Sequence, residues 1–235
     1  MGGRCSPLFR IVYCERGKAD MAGAFDFKKE YKDLYWPKEK PGIVDVPAMM
    51  FIMVDGKGDP NTCAAYKHAM EVLYGLSYSI KMSKMSGTQP EGYFEYVVPP
   101  LEGLWWGEDE GFDGTSIADK NELCWTSMIR QPGFVTQEVF EKAKQALRQK
   151  KPALDLSLAR LTLFAEGLCA QIMHTGSYDG EPATIRVLEA FIMDSGYKSD
   201  ISACRKHHEI YLGDPRKTAP EKWKTVIRHP VARRS

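Results

Sequence analysis

A chain of 235 residues, 43% of them hydrophobic, can bury enough surface for one large domain or two small, intimate ones. Its 32 Lys and Arg against 31 Asp and Glu leave a net charge of +1, which excludes a global field drawing it to nucleic acid or an anionic membrane. No run of about 18 apolar residues suggests a membrane span, and the six cysteines show neither a CxxC pair nor a zinc-site spacing, so reduced thiols, no metal and a cytoplasmic setting are expected.

In chain order, residues 1–20 mix Arg, Cys and short apolar stretches without a continuous hydrophobic region, and Met21 opens a more ordinary start; they read as a non-structural extension. Within the extension and arm of residues 1–47, residues 25–36 form an arm rich in Lys, Tyr and Asp, and 37–47, with three prolines, a connector. A first module spans 48–132. It opens with a buried strand at 48–54 and an Asp55-Gly56-Lys57-Gly58 turn. Asp59 is placed as N-cap and Pro60 as first residue of a helix to about residue 84, with Ala65, Ala69, Val72, Leu73, Leu76 and Ile80 on one stripe. Residues 93–98 and 103–107 form the next strand region, 108–120 an acidic, Gly-rich loop, and 125–130 the closing strand. Residues 133–162 read as an inserted connecting helix with Thr136 as N-cap and Glu138 in its first turn. The second module, 163–235, runs through a strand at 167–174, a turn at 176–180, a helix at 181–195 ended by Gly196, and strands at 206–212 and 224–228.

The two modules share a text. Trp125-Thr126-Ser127-Met128-Ile129-Arg130-Gln131-Pro132 returns as Trp223-Lys224-Thr225-Val226-Ile227-Arg228-His229-Pro230. Upstream, Asp59-Pro60-Asn61-Thr62 is matched by Glu181-Pro182-Ala183-Thr184, and Phe94-Glu95-Tyr96 by His208-Glu209-Ile210-Tyr211. Three coincidences in one order predict a duplicated α+β fold.

Strand alternation then assigns faces. If helices cover one face, Ile210 and Leu212 point to them, and His207, Glu209 and Tyr211 to the opposite face; Tyr93, Glu95 and Val97 follow in the first module. Two related glutamates would then face each other across a cleft rimmed by aromatics. A Glu between apolar neighbours is costly to bury unless it meets a cation, a donor or a proton. Arg130 and Arg228 are ready partners, so a salt-bridge reading stands beside a ligand-binding one. Recurrence of the Glu, each time followed by an aromatic, favours a flat, apolar ligand, a cationic one included. Trp125 and Trp223 read more readily as repeated core than as repeated site, and the adjacent Trp105 and Trp106 must point to opposite sides of a regular strand. His174, at a strand end, reads as structural or as pocket rim, and the His207-His208 pair has no further ligands nearby for a metal. No phosphate loop, nucleophile elbow or dinucleotide fingerprint is present, and no organic cofactor is expected.

The run His207-His208-Glu209-Ile210-Tyr211-Leu212-Gly213-Asp214-Pro215-Arg216-Lys217, with Gly176-Ser177-Tyr178-Asp179-Gly180, resembles a stand-alone subgroup of the GyrI-like family. That family includes effector-binding domains of multidrug-sensing transcription activators, and the resemblance covers about residues 45–231. It implies two β-α-β-β units about a pseudo-two-fold axis, a helix layer on one face, two antiparallel sheet halves and a ligand groove between modules, with Glu209 on the pocket floor. Some stand-alone members are cyclopropanoid hydrolases, which open the strained ring of DNA-alkylating natural products with water. On that analogy Glu209 orients or deprotonates the water, and Tyr178 or Tyr211 donates to the developing oxyanion. Trp105, Trp106 and Trp125 supply an aromatic cage, with Glu95, Tyr93, His174 and His207 as further ligand contacts. Two alternatives stay open. One is a non-catalytic sensor acting with a regulator partner, since residues 1–45 hold no helix-turn-helix. The other is a gyrase-inhibitor-like interaction protein using the patch at 108–113. The expected partner is a small hydrophobic aromatic ligand, without direct nucleic-acid or membrane contact, and the chain is a monomer or homodimer.

Overall fold

The computed structural model describes residues 23–107, 112, 114, 115 and 119–234. The expected extension at 1–20 and most of the acidic patch at 108–113 lie outside the described residues.

Two β-α-β-β units build the chain. In the first, β2 (Met49–Lys57) leads through helix α3 (Ala64–Lys81) to β3 (Leu101–Trp106) and β4 (Cys124–Arg130). In the second, β6 (Gly167–Thr175) leads through α5 (Glu181–Asp194) to β8 (His207–Tyr211) and β9 (Lys224–Arg233). The units join where β3 and β8 pair antiparallel, with Gly103 opposite Glu209. The remaining strands are β1 (Gly42–Val46), β5 (Arg160–Phe164) and β7 (Tyr197–Ser199). The sheet runs β1-β6-β9-β8-β3-β4-β2-β5, with β7 on β9, and is a near palindrome about the β3–β8 seam. Each unit borrows its outer strand from elsewhere: β1 precedes the first unit yet pairs with β6, and β5 precedes the second yet pairs with β2. The connector at 37–47 is therefore part sheet, and the insertion at 133–162 supplies α4 (Gln137–Lys150) and the start of β5.

Helices cover one face. The α3 stripe of Ala69, Val72, Leu73, Leu76 and Ile80 packs on Ile52, Val54, Trp125 and Ile129 and against Phe140, Ala143 and Leu147 of α4. From α5, Ile185, Leu188 and Ile192 pack on Ala170, Ile172 and Ile227. The α4 start follows the sequence, with the Val139 N–H donating to Thr136 Oγ1 at 3.3 Å.

The opposite face is covered too, by the N-terminal arm with α1 (Phe27–Glu30) and α2 (Lys32–Tyr35). Phe25, Phe27, Leu34 and Tyr35 pack there with Tyr96 against Phe51, Met128, Ile210 and Leu212. This second layer inverts the expected faces of β8. Alternation holds, but Ile210 and Leu212 point to the arm, and His207, Glu209 and Tyr211 lie on the helix side. The cause is that both faces of the sheet are buried, so an apolar residue does not mark the helix face.

Three local expectations also change. Residues 93–98 form no strand; their one ladder contact is a bridge from Tyr96 to Phe25. Residues 55–57 continue β2, and the chain turns at Gly58, whose φ of +114° suits glycine. Gly56 stays in the strand because the Trp125 ring lies against it: a Cβ there would sit 2.2 Å from Cη2. Finally, α3 begins after Cys63, and Asp59 instead closes a turn by accepting from the Asn61 N–H at 2.9 Å.

Candidate functional site

Between α3 and the start of α5, the helix face leaves a cavity of about 1290 Å³ floored by β3 and β8. Its wall carries Tyr66 from α3, Trp105 from β3, Tyr178 from the turn before α5, and Tyr211 and Glu209 from β8. Tyr66 stacks on Trp105 at 6.0 Å between centroids, and the Tyr178 ring meets Tyr211 edge-on at 5.9 Å. Opposite Glu209 stands Gly103, and the Trp105 indole lies over it, where a Cβ would fall 2.7 Å from Nε1.

Glu209 is held by donors on both sides. Its Oε1 lies 2.9 Å from His207 Nε2, and its Oε2 accepts from the Tyr211 hydroxyl at 2.6 Å. Tyr211 in turn accepts from Trp105 Nε1–H at 3.0 Å. Burial pushes the Glu209 carboxyl up, but the hydrogen bond and charge of His207, then Tyr211 and the charge of His208, outweigh it and hold the group below its usual range. Burial, and then the same carboxylate, raise Tyr211 well above an ordinary phenol.

A second carboxyl lines the cavity. Glu181, the first residue of α5, is 6% exposed. Thr225 donates to it, while its Oε1 meets no hydrogen-bond partner. Burial first, then the charge of Glu209, raises it well above the usual carboxylate range. One groove thus holds a carboxyl kept below its usual range and a second raised well above it, the kind of separation that divides a base from an acid. Tyr178 is raised to about 12, by burial and then by Glu181 and Glu209, and so remains a donor at neutral pH.

Of the residues singled out in the sequence, Glu209, Tyr178, Tyr211 and Trp105 meet at this groove. His207 lies beside Glu209 on the same face of β8, buried and outside the cavity lining. The others lie elsewhere. Trp106 is on the arm side, with Lys206 Nζ 4.7 Å from its ring centroid. Trp125 is fully buried core below Tyr66. His174 ties the turn before α5, bonding Thr184 Oγ1 at 2.8 Å and the Ser177 carbonyl at 3.0 Å. Tyr93 and Glu95 close the end of α3: the Tyr93 hydroxyl reaches the Lys81 carbonyl at 2.8 Å and Glu95 at 2.9 Å, and Glu95 pairs with Lys84. No glutamate opposes Glu209 across the seam, because sheet register makes Leu101 its counterpart. Leu101 pairs Ile129 as Glu209 pairs Ile227, and those two isoleucines are equivalent in the repeat. The arginines also lie apart from Glu209: Arg228 binds Glu166, and Arg130 lies over the Phe27 and Tyr31 rings.

Sequence reasoning passed over Tyr66 and Glu181. Glu181 was visible only as the acidic half of an acidic-Pro helix start, the same role given to Asp59. Among the described residues no cluster of three or more His, Cys, Asp or Glu could hold a metal, and no helix is long and apolar enough to cross a membrane.

A duplicated β-α-β-β sheet enclosing an aromatic groove with a buried carboxylate defines a small-molecule-binding domain. Residues 39–232 match the GyrI-like small molecule binding domain, and the chain belongs to that family. Among solved structures, an uncharacterized conserved protein from Listeria innocua is 50% identical, with a TM-score of 0.84 over 88% of this chain and 100% of that one. A hydrolase from Listeria innocua is 48% identical, with a TM-score of 0.80 over the same shares. No curated protein matches the chain.

Proposed function

We propose that the chain binds a flat, apolar small molecule in this groove and opens an activated cyclopropane on it with water, protecting the cytoplasm from DNA-alkylating compounds. The observation that carries the reading is the carboxyl pair facing one aromatic-walled cavity, Glu209 held below the usual carboxylate range by its donors and Glu181 raised above it by burial. The 48% identity to a protein described as a hydrolase supports it.

A cyclopropane conjugated to a dienone already carries its own electron sink, so the protein needs to stack the plane, hold a water and stabilise the departing charge. Tyr66, Trp105 and Tyr178 supply the ring surfaces. Glu209 takes a proton from the water as its oxygen bonds the ring carbon. The carbon–carbon bond breaks, and its electron pair passes through the dienone to become a phenolate. Tyr211 already spends its proton on Glu209, which leaves Tyr178 and Glu181 as donors to that phenolate. Glu209 ends protonated and Glu181 ionised, so the cycle closes when one loses a proton and the other regains it.

The test is a catalytic amount of protein with an excess of a spirocyclopropyl-dienone alkylator, the water adduct counted by mass spectrometry. Many adducts per protein are expected. Glu209→Gln is expected to cut turnover by about a hundredfold or more, the contribution of a positioned general base, while still binding the compound. Product no greater than in buffer overturns hydrolysis and leaves a protein that captures the ligand without turning it over.

A further inference from the structure

Behind Glu209 a line of side chains runs out of the groove. His207 Nε2 lies 2.9 Å from Glu209 Oε1, His207 Nδ1 lies 2.7 Å from His229 Nε2, and His229 Nδ1 lies 2.5 Å from Oε1 of Glu189 on α5. The two imidazoles are 1% and 0% exposed, while the Glu189 side chain is 29% exposed. Phe112 meets the His207 ring edge-on, and a Cβ on Gly114 would fall 2.4 Å from His207 Nδ1, so the line is closely covered where it crosses the sheet.

Counting protons shows what this line can do. Three hydrogen bonds need three protons. Two neutral imidazoles supply one each, and ionised carboxylates supply none. The line therefore holds one proton more than two neutral rings carry, shared between a carboxylate in the groove and one at the surface. With that proton on Glu209, both rings carry N–H on Nδ1. Moving each of the three protons one bond outward leaves Glu209 ionised, both rings with N–H on Nε2, and the proton on Glu189. Neither ring rotates and no oxidant or second reactant is needed.

The first unit contains the same tie in a form that cannot carry a proton. Gln131, the counterpart of His229, donates to Ser77 on α3 at 3.1 Å. A structural link from the last strand to its helix thus needs only an amide and a hydroxyl. In the second unit the amide and hydroxyl give way to an imidazole and a carboxylate, and the position across the seam is Glu209 in place of Leu101.

We propose that Glu189, His229 and His207 form a proton relay that moves the line's shared proton from Glu209 out to Glu189 at the protein surface, leaving Glu209 ionised as the base while a ligand covers the groove. The three are positioning residues, acting through Glu209, and the assignment rests on Glu209 serving as the base proposed above.

Two measurements on the full chain test it. With 15N-labelled histidine, of which the chain has five, the relay predicts that Glu189→Gln shifts the ring nitrogens of His207 as well as His229, and that Glu209→Gln shifts those of His229. Substitutions that move only the adjacent ring overturn a shared proton, whether or not the protein turns anything over. In the turnover assay, Glu189→Ala is expected to slow the native rate about tenfold with KM unchanged, and added formate or acetate is expected to restore it. A native rate in Glu189→Ala, or no rescue in a variant that melts like the parent, overturns the relay. A native protein with no turnover refutes hydrolysis alone, and the nitrogen shifts still decide the relay.

Discussion

Raising the pH should loosen this protein well before its ordinary bases titrate, because a buried histidine on the arm side of β8 is held in its charged form. His208 Nδ1 lies 3.0 Å from Glu166 Oε2, and its Nε2 lies 3.1 Å from Glu102 Oε2, too poorly aligned to hydrogen-bond but close enough for charge attraction. Arg228 binds Glu166 at 3.0 Å and the Leu34 carbonyl at 2.8 Å, and Tyr35 donates to Glu102 at 3.1 Å, so the cluster fastens the arm to the sheet. Burial alone would lower His208; Glu166, then Glu102, more than reverse this and raise it from 6.5 to about 9. Burial alone would raise Glu166; His208 and Arg228 hold it at about 2.

The signs then fix the window. A raised histidine contributes fully below 6.5 and loses its contribution as pH climbs through about 9. A depressed carboxyl contributes above 4.5 and loses it as pH falls toward about 2. The plateau lies between 4.5 and 6.5. A span of about 2.5 pH units, at about 1.4 kcal/mol each, makes the alkaline loss roughly 3 kcal/mol. The acid loss reflects the same His208–Glu166 attraction and is not added to it. For a chain of this size the alkaline loss lowers Tm by about 6–12 °C. Cys169, raised by burial, stays neutral in that window. The assay is thermal unfolding followed by circular dichroism from about pH 6 to pH 9.5. Glu166→Gln should start less stable by about 3–5 kcal/mol and lose most of the alkaline slope; if it does not fold, His208→Gln should show the same flattening. A native Tm that is level across the window, or a variant with the full slope, refutes the argument.

Two further outcomes separate fold from site. Gly56→Ala forces a methyl against the Trp125 ring at 2.2 Å and is expected to cost about 1–3 kcal/mol in urea unfolding; equal midpoints and slopes would show that the tryptophan moves freely. Trp105→Leu is expected to weaken a planar dienone ligand about three- to tenfold by equilibrium dialysis, the value of one aromatic face, whereas Trp106→Leu, on the arm side, leaves affinity unchanged. Equal effects from the two would place the ligand outside the groove.

The duplication and the order of elements were legible because the repeat at 125–132 and 223–230 preserves strand identity and because helix and strand periodicity survive in α3, α4 and α5. The faces of β8 were not, since they depend on the arm, whose aromatic residues carry no sign of the surface they will cover. Glu95 was misread for a related reason: Phe94-Glu95-Tyr96 resembles a strand in composition, yet it lies before β3 and serves to anchor the arm through Phe25.

The deeper difficulty lies in what a repeat conveys. Recurrence argued for pairing Glu95 with Glu209, but what recurs between two units of a duplicated fold is what both need in order to fold, such as Ile129 with Ile227 and Arg130 with Arg228, whereas Trp125 and Trp223 part company, Trp223 being half-buried against the Tyr178 ring. Trp125 is buried core, and Arg228 is the bolt of the arm cluster. The groove's chemistry sits at positions where the copies disagree: Leu101 against Glu209, Asp59 against Glu181, and Gln131 against His229. Each change places a titratable or buried group where its counterpart is apolar, neutral or turned to a local cap. A two-fold scaffold offers two equivalent floors beside its seam, but one ligand lying over that seam needs its base on a single side. The informative residues of such a chain are therefore its broken symmetries, and they become visible once sheet register fixes which residue corresponds to which.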